Sequence, residues 1–196
     1  FVGGEPMLHP HIEAWISYAK KLDMVTSIVS NGTNIDEDFL DRISNSLDWI
    51  GLSVDASNDQ LHAKLGRGLR KDISKGISNH LTKSLNIAKL LQSRGVGIKL
   101  NTVVTSINSH DDMVSVVNKI KPDRWKIFQV LGIEGENDDQ IEELSIDKKT
   151  FDAYVNYHKE QFQNSSKITI IGENNEVMLG SYAMIDPIGR VYTNLN

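Results

Sequence analysis

Cysteine is absent from the 196-residue sequence. Its absence excludes disulfide bonds, a cysteine-ligated zinc site and an iron–sulfur site built from these residues alone. Long apolar runs are missing too: no stretch approaches the roughly 18 residues of a membrane span, and the given residues hold no signal-peptide pattern. The chain also has no excess of positive charge. Its net charge of −5 argues against a surface that coats nucleic acid.

The composition is that of a globular protein. Apolar residues make up 39% and charged residues 24% of the chain. The length suffices for one sizeable core with an appendage. A local basic pocket remains compatible with the negative net charge.

Short apolar runs alternate with amphipathic helical patterns along the first 131 residues. Strands are predicted at 24–29, 49–54, 96–104 and 124–131, and helices at 11–22, from 36, at 77–91 and at 113–120. Strand–helix units of this length predict parallel strands with helical crossovers. A partial or complete β/α barrel and an open doubly wound sheet both fit. Either fold places its ligands at the C-terminal ends of the strands.

The pattern loosens after residue 131. An acidic loop covers 133–139, a helix is predicted from an N-cap at Asp147, and strands are predicted at 167–171 and 184–192. We therefore assign residues 1–131 to a partial β/α barrel. Residues 132–196 are assigned to a C-terminal α+β extension that completes the substrate pocket.

Two neighbouring strands are predicted to carry cations on one face. Because side chains alternate along a strand, Lys99 and Asn101 share one face, opposite the apolar residues of their strand. Arg124 and Lys126 share the corresponding face of the next strand, and Ser53 lies on that of a third. In a barrel this face points inward.

Inward cations need negative partners, because burying an unpaired Lys or Arg is costly. One interpretation is internal ion pairing, with Asp55, Glu134 and Glu136 as the carboxylates. The other is a polyphosphate or carboxylate ligand, since Arg suits bidentate contacts to phosphate and Lys suits point-charge contacts.

Three glycine-containing loops follow predicted strands or lie close to them. Gly3-Gly4-Glu5-Pro6 is either a tight turn before a helix or a place where the backbone and a carboxylate approach a ligand. Ser30-Asn31-Gly32 is followed by a helix, which weakens the hairpin-turn interpretation. Gly66-Arg67-Gly68 is either an exposed loop or a carrier of Arg67 to a carboxylate. The scattered histidines show no metal-ligand spacing, so no metal site is predicted in this chain.

Together these segments resemble the radical S-adenosylmethionine (radical SAM) enzymes. Within that superfamily they are most similar to the viperin-type nucleotide-modifying enzymes of antiviral defence and their prokaryotic relatives. The segments that carry the resemblance are FVGGEP, SIVSNGT, LGRG, KLNTVV, KPDRWKIFQVLGIEGEN and ENNEVMLGSY. GGEP alone would indicate only the superfamily, whereas RWKIFQ followed by IEGEN is long and specific.

The resemblance implies a partial (βα)₆ barrel of the radical SAM type with a C-terminal extension. It also implies two cofactors, S-adenosylmethionine and a [4Fe-4S] cluster held by a CxxxCxxC loop. The implied reaction uses a 5′-deoxyadenosyl radical to convert CTP, or another nucleoside triphosphate, to its 3′-deoxy-3′,4′-didehydro analogue. The cofactor supplies the radical chemistry, and the protein supplies geometry and electrostatics.

The resemblance also implies roles for individual residues. Those of the cofactor site would be Gly3, Gly4, Glu5, Ser30, Asn31, Ser53 and Arg67. Those that hold the nucleotide would be Lys99, Asn101, Arg124 and Lys126. Tyr182 matches a family tyrosine near the substrate ribose and would be the catalytic residue, a hydrogen or proton donor late in the reaction.

This sequence departs from the family pattern because it lacks the cluster cysteines. We interpret it as an interior part of a longer enzyme, truncated at its N-terminus within a strand whose last residues are Phe1 and Val2. The expected partners are a nucleoside triphosphate, with CTP favoured, and an electron donor such as flavodoxin or ferredoxin. We expect a cytoplasmic monomer that binds no nucleic acid and whose given segment binds no membrane. The alternative for the whole protein is a membrane-associating helix upstream of this segment. The alternatives are another radical SAM enzyme with a phosphorylated substrate, or a non-catalytic nucleotide-binding remnant.

Overall fold

The computed structural model describes residues 1–68, 70–132, 138–164, 167–178, 183–186 and 188–193. The strands within these ranges are β1 (Ser27–Ser30), β2 (Trp49–Ser53), β3 (Gly97–Val104), β4 (Arg124–Gln129), β5 (Thr169–Glu173), β6 (Ala183–Ile185) and β7 (Val191–Thr193). The helices are α1 (Ile12–Lys21), α2 (Glu37–Ile43), α3 (Asp59–Lys64), α4 (Arg70–Ile73), α5 (His80–Ser93), α6 (Val114–Ile120), α7 (Asp138–Leu144), α8 (Lys148–Gln161) and α9 (Asn175–Met178).

Strands β1 to β5 form one parallel sheet, and each strand pairs with the next one along the chain. A doubly wound sheet would reverse its strand order at a switch point, and this sheet does not. Helices connect the strands, as parallel pairing requires. The architecture is therefore that of a partial β/α barrel, one of the two alternatives that the sequence left open.

The predicted C-terminal extension contributes a strand to this sheet. β5 was predicted at 167–171, and it pairs with β4 so that Lys126 lies opposite Ile171 and Phe128 opposite Glu173. β6 and β7 form a separate antiparallel pair. The boundary near residue 132 stays a prediction, because β5 continues the sheet of the first unit.

One face of the sheet is the hydrophobic core. Residues of β2, β3 and β4 that alternate toward the helices are fully or almost fully buried: Ile50, Leu52, Ile98, Leu100, Trp125 and Ile127. Trp125 donates from its indole nitrogen to Thr102 at 3.0 Å, and the Thr102 hydroxyl donates to the carbonyl of Val54 at 2.7 Å. The indole N–H of Trp125 and the hydroxyl of Thr102 are thereby paired, as burial requires.

Two predicted helix caps are confirmed. The Asp36 carboxylate accepts from the backbone N–H of Phe39 at 2.8 Å, and Asp147 accepts from Thr150 at 2.8 Å. Each satisfies an N–H group that has no partner within its own helix. These caps place the first turns of α2 and α8.

The first residue of the chain pairs with the outer edge of β1. The amino group of Phe1 donates to the carbonyl of Ser27, and the carbonyl of Phe1 accepts from the N–H of Val29 at 3.0 Å. This is the bonding pattern of a parallel strand, which was predicted to end at Phe1 and Val2. None of the helices in the described ranges has the length and apolar character of a membrane span.

Candidate active site

The four residues predicted to bind the nucleotide lie together on the face opposite the core. In the β3–β4 ladder, Lys99 pairs with Arg124 and Asn101 pairs with Lys126. All four side chains point to the same side of the sheet, because the buried residues between them alternate to the helices. The structure thus places three cations and an amide on two adjacent strands.

Lys99 lies close to two other cations and to an aromatic ring. Burial lowers the pKa of Lys99, and the neighbouring Arg124 and Lys126 lower it further. Its Nζ lies 5.0 Å from the centroid of the Trp49 ring. Neither Lys99 nor Arg124 forms an ion pair with a carboxylate in the part of the chain that the structure describes. An anionic ligand would relieve the repulsion among these cations.

Lys126 is paired internally, with a residue that the sequence interpretation missed. Its Nζ lies 2.5 Å from a carboxylate oxygen of Glu173, and both side chains are largely buried. Of the partners expected from sequence, Asp55 pairs elsewhere, while Glu134 and Glu136 lie outside the described residues. Glu173 was missed because its strand was predicted to end at residue 171.

The loop before the first helix holds the carboxylate of Glu5 close to the end of β1. Oε1 of Glu5 accepts from the Ser30 hydroxyl at 2.8 Å and from the N–H of Met7 at 3.1 Å. Oε2 accepts from the N–H of Asn31 at 2.9 Å. Since a carboxylate oxygen can accept two hydrogen bonds, Oε2 keeps the capacity to bind an amine.

Gly3 and Gly4 precede this carboxylate in left-handed backbone conformations, with φ of +92° and +56°. A Cβ at either position would meet no atom within 4 Å. The glycines are therefore needed for the turn itself, and the space beside them is open to a ligand.

Ser30 and Asn31 support the Glu5 carboxylate from β1. Ser30 is buried on the helix side of the sheet, and its hydroxyl also accepts from the N–H of Gly32 at 3.0 Å. The side-chain oxygen of Asn31 accepts from the N–H of Thr33 at 2.8 Å, so the loop closes as an Asx turn. Ser30 thus positions Glu5, a function that the sequence did not indicate.

Arg67 is held by a buried carboxylate. Its Nε and Nη2 both lie 2.6 Å from Oδ2 of Asp55, while Oδ1 of Asp55 accepts from the N–H of Val103 at 2.8 Å. Arg67 and Asn31 line a cavity of about 260 Å³, together with Thr33, Gly66, Gly68, Asn79, His80 and Lys83. Two of the predicted cofactor residues thus share one cavity.

Ser53 lies beside both groups of residues. It pairs with Asn101 in the β2–β3 ladder, on the face that carries the cations. Its carbonyl oxygen lies 2.6 Å from Nε2 of His80, a residue of the same cavity as Arg67. Ser53 therefore marks where the predicted cofactor and nucleotide residues adjoin.

A buried histidine supports the loop that follows β2. Nε2 of His62 lies 3.3 and 3.2 Å from the N–H groups of Asp55 and Ala56, and Nδ1 lies 3.0 Å from the carbonyl of Asn58. These contacts require the neutral ring with its proton on Nδ1. Burial and the adjacent His80 lower the pKa of His62 to about 4. The histidine is thus a structural support for Asp55.

The predicted catalytic residue Tyr182 lies outside the described residues. Among the residues that are described, no group of acidic or histidine side chains could hold a metal ion. A second cavity of about 550 Å³ lies between the loop after β3 and α8, and none of the four predicted nucleotide residues lines it. Its carboxylates already accept bonds within the fold: Asp111 from Ser57, and Asp112 from Val114.

Comparison with known proteins gives this arrangement a context. The model of the radical SAM superfamily matches residues 1–120. The chain is 41% identical over 196 residues to an S-adenosylmethionine-dependent nucleotide dehydratase of Flammeovirga pacifica. The alignment covers 100% of this chain and 64% of that protein. It is 36% identical to a protein of the same name from Lacinutrix mariniflava, over 99% of this chain and 39% of that protein. The chain therefore spans less than two thirds of these relatives.

Solved structures agree on the fold. The crystal structure of Streptococcus suis SuiB bound to S-adenosylmethionine matches with a TM-score of 0.67 over 87% of this chain and 38% of that one. The sequence identity is 18%, so the match concerns the fold alone.

Proposed function

The chain belongs to the radical SAM superfamily, and from this membership we propose that it forms the cofactor and substrate face of a nucleotide dehydratase. The proposed reaction converts CTP, or another nucleoside triphosphate, to its 3′-deoxy-3′,4′-didehydro analogue, with net loss of water from the ribose. The relatives named as nucleotide dehydratases support this class of substrate. The preference for CTP rests on the sequence resemblance.

One observation carries the proposal: the cation face formed by Lys99, Arg124 and Lys126 together with Asn101. A triphosphate matches it in charge, because the three cations lie on two adjacent strands about 5 Å apart and can contact one polyanion together. Lys99 and Arg124 have no carboxylate partner among the described residues, whereas Lys126 forms an ion pair with Glu173. The face therefore has the positive charge that a polyanion would neutralise.

The residues around Glu5 fit S-adenosylmethionine. The open backbone at Gly3 and Gly4 and the remaining acceptor capacity of Glu5 suit an ammonium group. Arg67 and Asn31 line the adjoining cavity, where Arg67 can bind a carboxylate or a ribose. When bound, S-adenosylmethionine supplies the adenosyl radical chemistry of this superfamily.

The chain contains no cysteine, so we assign none of its residues to an iron–sulfur cluster. The role proposed for Tyr182, donation of a hydrogen or proton close to the ribose, rests on the resemblance of its segment. An electron donor such as flavodoxin or ferredoxin, a monomeric state and a cytoplasmic location complete the proposal.

The test is a turnover assay on the full-length, cluster-reconstituted enzyme with S-adenosylmethionine and a reductant. CTP, UTP, GTP and ATP are each added, and release of 5′-deoxyadenosine and formation of the didehydro product are measured by mass spectrometry. We expect at least one nucleotide, CTP first, to stimulate release well above the background. Release that none of the four nucleotides stimulates would contradict the proposal and favour another phosphorylated substrate.

A further inference from the structure

The cation face also carries an aromatic ring, that of Trp49. Trp49 is the first residue of β2, and its side chain points to the same face as Lys99. The ring is half-buried, and Nζ of Lys99 lies 5.0 Å from its centroid. An ammonium group within about 6 Å of a tryptophan ring is attracted by the negative face of the ring.

The neighbouring strand makes room for this ring with a glycine. Gly97 is the ladder partner of Trp49, and a Cβ on Gly97 would lie 2.5, 2.7 and 2.9 Å from three atoms of the ring. The backbone of Gly97 has none of the positive φ angles that call for glycine elsewhere in the described residues. Space for Trp49 is therefore the structural reason for a glycine here.

The ring lies where Lys99 needs compensation. Burial and the nearby cations lower the pKa of Lys99, which works against the charged form. Lys126 has the carboxylate of Glu173, whereas Lys99 has no carboxylate partner in the described part of the chain. The face of an aromatic ring favours the charged ammonium without neutralising it. A carboxylate in its place would cancel the charge that binds an anion.

We infer that Trp49, admitted by Gly97, is a positioning residue that holds the Lys99 ammonium, charged and in place, for the phosphates of the substrate. The inference deepens the proposed function and rests on it. It predicts that Trp49 contributes to anion binding only through Lys99, whose Nζ lies over its ring.

A double-mutant cycle on the full-length protein tests this coupling, with inorganic tripolyphosphate as the probe and calorimetry as the measurement. We expect Trp49→Leu to weaken tripolyphosphate binding by about 2- to 30-fold, the range that a cation–π contact spans. Trp49→Phe, which keeps a smaller ring, should retain part of the affinity. In a Lys99→Met background, Trp49→Leu should change the affinity by less than about two-fold, because coupled residues are not additive.

Gly97→Ala provides a second route, since it displaces the Trp49 ring while both Trp49 and Lys99 keep their own side chains. It should weaken tripolyphosphate binding in the same direction as Trp49→Leu, while binding of S-adenosylmethionine stays at the wild-type level. Loss of the same size in both backgrounds would mean that Trp49 acts on the fold in general, and would overturn the inference. So would wild-type affinity in Trp49→Leu.

The proposed function fails in a different way. If the wild-type protein bound no tripolyphosphate, or if Lys99→Met bound it as tightly as the wild type, the cation face would not be the phosphate site. Both the proposed function and the role of Trp49 would then be wrong. Failure of the Trp49 variants alone leaves the proposed function in place.

Discussion

Arg67 and Asp55 form an ion pair whose carboxylate is buried: the Asp55 side chain is 6% exposed and that of Arg67 33%. The carboxylate is fixed by the N–H of Val103, so Asp55 sets the direction of the arginine. The guanidinium group keeps further N–H donors for a ligand, because two atoms bond to one carboxylate oxygen. Asp55 therefore connects the β3 backbone to the cavity proposed for the cofactor.

Asp55→Asn should weaken S-adenosylmethionine binding and lower stability. The amide keeps the size of the side chain and an acceptor for Val103 but removes the charge that orients Arg67. We expect the free energy of unfolding to fall by about 1–3 kcal/mol, less than for a fully buried pair because Arg67 reaches solvent. Calorimetric titration and urea unfolding measure the two effects.

The matched control is Asp41→Asn. Asp41 pairs with Arg94 at 2.6 Å, but its side chain is 65% exposed. Such a surface pair contributes less than about 1 kcal/mol. S-adenosylmethionine affinity that is equal in the two variants would show that Asp55 has no special part in cofactor binding.

Gly3→Ala should impair cofactor binding through the backbone. With φ of +92°, an alanine is strained although its Cβ has open space around it. We expect a loss of stability of about 1–2 kcal/mol and weaker binding of S-adenosylmethionine. Gly95→Ala, at φ of +69° and equally open, should lose comparable stability and bind the cofactor normally. A normal cofactor affinity in Gly3→Ala would remove this loop from the proposed site.

Lys126→Met and Glu173→Gln should affect nucleotide binding differently. Methionine keeps the apolar stem beside Phe128 and removes the charge, so CTP binding should weaken by roughly 10- to 100-fold. Glu173→Gln leaves the cation and removes the competing carboxylate, so CTP should bind as tightly as before or more tightly. Binding of CTP and of S-adenosylmethionine is measured separately for each variant. If both variants lost CTP affinity equally, the pair would be structural.

Acid should destabilise the protein partly through His62. The folded-state pKa of about 4 lies below the ordinary value of 6.5, so the unfolded chain takes up a proton that the folded chain does not. Stability present at neutral pH is therefore lost as the pH falls from about 6.5 to about 4, by on the order of 3 kcal/mol.

Urea unfolding at pH 7 and pH 4.5 measures this loss in the wild type and in His62→Gln. Glutamine should lower stability at pH 7, because the bonds to the loop after β2 are disrupted, and should then lose less on acidification. His110→Gln alters an exposed histidine and serves as the control. An acid response in His62→Gln as steep as that of the wild type would contradict the prediction.

Much of the site could be predicted from sequence, because it depends on short-range periodicity. The two-residue period of a strand is enough to place Lys99 and Asn101 on one face, and the caps at Asp36 and Asp147 depend on contacts three residues away. Lys99, Asn101, Arg124 and Lys126 then form one patch if β3 and β4 are neighbours. Their order along the chain suggests that they are.

The missed features depend on register and on contacts between distant segments. Trp49 lies beneath Lys99 because β2 and β3 pair at Trp49 and Gly97, a register that no local pattern specifies. Glu173 reaches Lys126 from a strand more than 40 residues further along the chain. Ser30 bonds to Glu5 across a whole helix. Each contact joins segments that only the folded sheet brings together, so no local sequence pattern indicates it.

Charge changes along the cross-strand row of residues that contains Lys99. From the edge of the sheet inward it runs through Val29 and Gly51, which are neutral, and then through Lys99 and Arg124, which are positive. With strands about 5 Å apart, the potential rises within the width of one nucleotide. A cationic sulfonium group would favour the neutral half and the Glu5 carboxylate, and a polyphosphate the other half. The sheet would thus hold two ligands of opposite charge side by side. Each ligand would bind poorly in the half of the row that favours the other.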